Sequence, residues 1–144
     1  MLALVDRVAP HAQQVARIPV GRCHGDLTFA NMLIDREHNI VLVDWLDVFI
    51  ETPLQDIVKL RQDTRYGWLL HIRDSDCDET KVRIIFRYID RKIHDYFSRY
   101  PFYVQAYPVF QALNVMRIVP YAVRIETLTH LERILAEVVE EFFN

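Results

Sequence analysis

Apolar positions along the chain recur mostly at helical spacing. Residues 2–16 read as a short helix ending before "RIPVG". Two short apolar runs follow, "NMLID" and "IVLVD", joined by the polar "REHN", which predicts a β-hairpin. Its strands are apolar on both faces, so the hairpin is expected to be buried. "ETPLQDIVKLRQDTRYGWLL" opens a helix with Thr52 as N-cap, Pro53 at the first helical position and Gln55 completing a capping box. After the polar "RDSDCDE", a third helix begins near Thr80, with Val82, Ile85, Ile89, Ile93 and Tyr96 on its apolar face.

The aromatic stretch from Arg99 to Val123 carries Pro101, Pro108 and Pro120, which should break it into short helices. The last helix repeats Leu128, Leu131, Leu135, Val138 and Phe142 along one face, with Glu137, Glu140 and Glu141 on the wetter side. The pattern predicts a mainly α fold with one small buried β-hairpin. Neither a repeat nor a linker divides it, so residues 1–144 are expected to form a single domain, with residues 53–144 as its helical part.

Composition removes several function classes. The 144 residues are 51% hydrophobic, enough for a packed core, and 17 basic against 20 acidic residues leave a formal charge of -3. The arginines are scattered among acids, which argues against a nucleic-acid partner. No apolar run approaches the roughly 18 residues of a membrane helix. Asp6 and Arg7 interrupt the apolar N-terminus, so no signal peptide is expected. The two cysteines, Cys23 and Cys77, lack CxxC spacing and read as thiols of a reducing cytoplasm. The three glycines, Gly21, Gly25 and Gly67, cannot form a glycine-rich phosphate cradle.

Candidate chemistry lies in "CHGDLTFANMLID", residues 23–35, and in "VLVDW" on the far arm of the hairpin at 31–45. A four-residue turn, Arg36 to Asn39, pairs Asp35 with Ile40, Leu33 with Leu42 and Asn31 with Asp44. Directly opposed residues have Cα atoms roughly 4.5–5.5 Å apart. The hairpin would then bring the Asn31 amide oxygen to the Asp44 carboxylate, two hard donors of the kind Mg²⁺ takes. Asp26, on the loop before the hairpin, could stand beside such a metal and orient or deprotonate an acceptor hydroxyl.

The motif H-G-D-x-x-x-x-N followed by I-D-[WF] is matched by His24, Gly25, Asp26, Asn31, Val43, Asp44 and Trp45, with Val43 a conservative departure. It resembles the aminoglycoside phosphotransferase and choline kinase family, which has a protein-kinase-like fold. The resemblance implies that Asp26 is the catalytic base, that Asn31 and Asp44 ligate Mg²⁺, and that ATP is the phosphoryl donor. His24 would buttress the loop and Asp56 would tether the following helix to it. The implied reaction transfers the γ-phosphoryl group to a hydroxyl of a small polar acceptor such as a sugar, an amino alcohol or an aminoglycoside. The acceptor-binding residues stay unknown.

In the family a phosphate-gripping lysine precedes the catalytic loop, whereas Lys59, Lys81 and Lys92 all follow Asp44. The resemblance therefore covers a kinase-like C-terminal lobe lacking the N-terminal lobe. That lobe would be supplied by another polypeptide or by a further segment of the same one. Alternatively, the chain is an inactive half-kinase serving as a binding or assembly module, associating with itself or a partner through the face around Trp45.

Other acids read as structural. Asp74, Asp76 and Asp78 start like an EF-hand, but Glu79 and Ile85 stand where Gly and Glu are required, so Asp76 is expected to cap the next helix. His24 beside Cys23 has no second pair with which to complete a zinc site. Asp47 is expected in an exposed loop, and the aromatic group from Tyr96 to Phe110 is expected in the core or lining an acceptor pocket.

Overall fold

A computed structural model describes residues 1–15, 17–73 and 77–143. Its elements are α1 (Leu2–Ala12), β1 (Met32–Ile34), β2 (Ile40–Leu42), α2 (Pro53–Thr64), α3 (Trp68–Ile72), α4 (Glu79–Phe97), α5 (Pro101–Ile118) and α6 (Ile125–Phe142), with 3₁₀ turns at Phe29–Asn31 and Val119–Tyr121. The fold is mainly helical with one two-stranded antiparallel sheet. Among the described residues, no helix is long and apolar enough to cross a membrane. Neither Cys23 nor Cys77 forms a disulfide.

The chain divides into two compact units: Met1–Ile18 with Tyr100–Asn144, and Pro19–Arg99. In the first, α5 packs on α6 and α1 packs on both. The expected stripe on α6 forms, with Leu131, Leu135 and Val138 buried and Ile134 and Val139 widening it. Each such side chain contributes about 1.5–3 kcal/mol of burial. Tyr103 and Tyr107 of α5 are buried, their rings 4.8 Å apart.

Three helix expectations need correction. α5 runs unbroken through Pro108. A mid-helix proline removes one backbone bond, and here its buried ring sits in a segment whose packing outweighs that loss. The α4 face is rotated by one residue at each end: Phe86 is buried, while Ile85 and Tyr96 are exposed. α4 carries more apolar residues than one face can bury, and near its start Phe86 takes the covered position in place of Ile85. Its N-cap is Asp78, whose side chain accepts from the Lys81 amide, and Asp76 lies outside the described residues.

The hairpin differs in both register and burial. Met32 pairs with Leu42, Leu33 with Val41 and Ile34 with Ile40. The turn holds three residues, with His38 at φ 67°, closed by the Asp35 amide donating to the Asn39 carbonyl at 3.0 Å. Asp35 sets this register. Its Oδ1 accepts from the Glu37 and Asn39 amides at 2.9 and 2.8 Å, and its Oδ2 from Asn39 Nδ2 at 3.0 Å. Those Asn39 bonds hold the Asp35 carboxyl below 3.8. Leu33, Ile34, Ile40 and Val41 are exposed. A two-stranded ribbon has two faces, and no third strand among the described residues covers either one.

In the second unit, α2 and α4 are joined by Arg61 and Asp90. Arg61 Nε and Nη2 donate to the two Asp90 oxygens at 2.8 and 3.0 Å, and Thr64 Oγ1 donates to Oδ1 at 3.2 Å. Arg61 is 1% exposed. Removing one member of a buried pair strands the other's charge, a loss of about 3–5 kcal/mol. Arg61→Met should therefore lower the urea midpoint by that equivalent, and adding Asp90→Leu should restore most of it.

Candidate active site

The loop from His24 to Phe29 forms neither helix nor strand until its closing 3₁₀ turn, so its amides need acceptors from elsewhere. Helix α2 supplies them. Thr52 starts the helix, its hydroxyl accepting from the Leu54 amide at 3.4 Å and Pro53 following at the first position. Spacings of three and four then place Asp56, Lys59 and Asp63 on one face of α2. Asp56 Oδ2 accepts from the His24 amide at 2.8 Å, and Oδ1 from the Gly25 amide at 2.9 Å. Asp63 Oδ2 accepts from the Phe29 amide at 2.9 Å, and Oδ1 from Leu69 at 3.1 Å. Between them, Lys59 Nζ lies 2.9 Å from Asp26 Oδ1.

The loop is held from its other side by the segment after β2. The buried His24 ring has Nε2 at 2.7 Å from the Val43 carbonyl, and its Nδ1 receives the Asp26 amide at 3.3 Å. A carbonyl only accepts and an amide N–H only donates, so the proton is on Nε2. The Leu46 amide donates to the His24 carbonyl at 3.0 Å. Gly25 takes φ +83°, and a Cβ there would fall 2.6 Å from Val48 Cγ1 and 2.7 Å from the Leu46 oxygen. Both facts demand glycine.

Asn31 Nδ2 donates to the Asp26 carbonyl at 2.8 Å and to Asp26 Oδ2 at 3.2 Å. The Asp26 carboxylate thus rests between an amide and an ammonium, with its side chain 30% exposed. Because the register differs from the expected one, Asn31 faces Val43, whose amide donates to the Asn31 carbonyl at 3.1 Å, and not Asp44. Asp44 follows Val43 at φ 59°, a left-handed conformation that Asp tolerates better than most residues, and it is exposed. Among the described residues, no three His, Cys, Asp or Glu side chains form a metal-holding group. Asn31 Oδ1, turned away from Asp26 by the Nδ2 bonds, and the exposed Asp44 carboxylate offer two hard oxygens. That donor set fits Mg²⁺, which keeps several waters and binds through one or two protein oxygens plus substrate phosphates.

Residues 2–103 match the phosphotransferase enzyme family. The chain belongs to that family. No curated protein and no solved structure matches. The family match reaches well beyond the motif-bearing segment, taking in α1 to α4 and the start of α5. In this member of the family the loop is supported by more of α2 than the motif alone reveals. Asp56 is legible from its pattern position, but Lys59 and Asp63 are not part of that pattern. The available signal was the 56–59–63 spacing, set against a helix whose other faces bury Leu54, Ile57, Val58 and Arg61. Asp47 is exposed, as expected.

Burial pushes the Asp63 carboxyl above 3.8, against the opposing pull of the Phe29 and Leu69 amides and of Lys59, with the Asp26 charge adding to the rise. The fold thus binds this proton more tightly than the unfolded chain does. The contribution is fully present below 3.8 and is lost as pH rises through the higher folded value. A carbon-detected carboxyl titration should give Asp63 a midpoint above 3.8. Asp63→Asn should flatten that part of the stability profile yet still cost about 1–3 kcal/mol, because one of the two backbone amides would face an NH₂ group.

Proposed function

We propose that this chain carries the catalytic-loop half of an ATP-dependent small-molecule kinase, transferring the γ-phosphoryl group to a hydroxyl of a small polar acceptor such as a sugar, an amino alcohol or an aminoglycoside. The observation that carries the proposal is the Asp26 carboxylate, fixed by Lys59 and Asn31 yet partly open to solvent. A carboxylate has about four lone-pair sites, and these two contacts leave others for a hydroxyl. In this role Asp26 accepts the hydroxyl's hydrogen bond and aims its oxygen at the γ-phosphorus. As the new O–P bond forms and the bond to the bridging oxygen of ADP breaks, the proton passes to Asp26.

Lys59 and Asn31 keep the carboxylate from rotating, while Asp56 and His24 keep the loop backbone in place. Asn31 and Asp44 would hold Mg²⁺, which when bound neutralises charge on the transferring phosphates. Calorimetric titration with Mg²⁺ and ATP, beside an Asp44→Ala control, tests the nucleotide half of this reading. Heat in the parent chain that vanishes in the control is the expected result. In any preparation showing turnover, Asp26→Asn should lower kcat by about 10²–10⁴-fold, and unchanged turnover would remove Asp26 from this role.

A second reading rests on a separate observation. Leu33, Ile34, Ile40 and Val41 of the hairpin are exposed, as are Trp45, Leu46, Phe49 and Ile50 just after it. Apolar side chains this dense along one stretch of surface mark an interaction site. On this reading the hairpin region seats another polypeptide, either an N-terminal lobe in trans or a second copy, and the chain acts as a binding or assembly module. Light scattering should then show self-association that Ile34→Glu with Phe49→Glu abolishes, or pull-down should recover a partner the variant loses. A strictly monomeric, partnerless chain would refute this reading.

A further inference from the structure

A second cluster of charge lies at the corner between α2 and α3, at the end of α2 remote in sequence from Asp56. A cavity of about 80 Å³ is lined there by Thr64, Arg65, Gly67, Arg83, Phe86 and Arg87, with Leu70 completing the wall. At about 30 Å³ per water, this is room for two or three waters, and so for one compact ion. Three arginines line it from two walls, Arg65 just after α2, its guanidinium 5.5 Å from the Tyr66 ring centre, and Arg83 with Arg87 on α4. Arg83 and Arg87 are four residues apart on one helix, an arrangement of like charges that destabilises a helix unless something negative sits between them.

Glu79 takes Arg83, Nη2 to Oε2 at 3.2 Å. Arg87 has no ion-pair or hydrogen-bond partner among the described residues. Gly67 keeps the space open: it adopts φ +68°, and a Cβ there would come within 3.3 Å of Arg83 Nη1. The floor is the buried Phe86 ring, 5.2 Å from Phe29 of the candidate catalytic loop.

We infer that this corner is an anion site for a phosphate group, either inorganic phosphate or a small phosphate monoester. Guanidinium forks on two walls can each donate to a different oxygen of a tetrahedral anion, whereas a carboxylate offers only two, in one plane. The phosphate's charge of about −1.5 to −2 at neutral pH also suits a wall lined by several cations. The inference does not rest on phosphoryl transfer at Asp26.

The test is amide-resolved NMR of the full chain, titrated with inorganic phosphate and separately with glycerol phosphate. Magnesium is omitted, and ionic strength is matched with sodium chloride, because screening alone moves exposed arginines. Saturable shifts at Gly67, Leu70 and Arg87, with Gly25 and Asn31 unmoved, are the expected result. Arg87→Gln and Arg83→Gln, both exposed and outside the packed core, should each weaken that response, and the double variant should lose it. A stronger response to glycerol phosphate than to phosphate would identify an organic phosphate as the occupant, and the reverse would identify the free ion. Shifts confined to the catalytic loop, equal shifts with chloride, or an undiminished response in the folded double variant would overturn the site.

Discussion

Backbone amides outside helices and sheets must still find acceptors, and three in the loop after Cys23 find theirs on a single helix. The His24 and Gly25 amides share the Asp56 carboxylate, and the Phe29 amide takes Asp63. Hydrogen bonds to a charged acceptor are worth about 1.5–3 kcal/mol each, so this capture offsets much of the cost of ordering a loop with little regular structure of its own. The rest of the site depends on it. The His24 ring reaches the Val43 carbonyl and the Asn31 amide reaches Asp26 because the backbone between them is pinned to α2.

Charge on α2 therefore serves two packing surfaces. One face turns Asp56, Lys59 and Asp63 to the loop, while Arg61 on another clasps Asp90 of α4. Burying Lys59, Arg61 and Asp63 and half-burying Asp56 on twelve residues would be costly if any were unpaired. Each has a stated partner: two amides for each aspartate, a carboxylate for the lysine and a bidentate carboxylate for the arginine. Burial nevertheless raises the Asp63 carboxyl above its ordinary range, against the pull of its two amides.

The legible parts of the molecule were those with local causes. Thr52 and Pro53 announce the start of α2, the leucine and valine stripe announces α6, and His24, Gly25, Asp26 and Asn31 form a motif within eight residues. The misread parts depend on partners the pattern cannot name. The hairpin register turned on the Asp35 side chain closing a three-residue turn, where alternation alone allowed a four-residue one. Apolar content predicts a buried hairpin, but burial needs a covering layer. Pro108 breaks no helix because tertiary packing overrides local propensity. Lys59 and Asp63 went unseen because their value lies in the loop they face, not in their neighbours along the chain.

The conformation at Asp44 has a consequence for any ion held there. Its predecessor, Val43, is fastened at both ends, the carbonyl to His24 and the amide to Asn31. Asn31 is itself fastened to Asp26. Asn31 and the backbone that leads into Asp44 thus move as one piece, so a change at either residue is felt at the other. The Asp44 carboxylate itself is exposed at the end of that braced segment, where it can turn toward whatever approaches from solvent without disturbing the loop behind it.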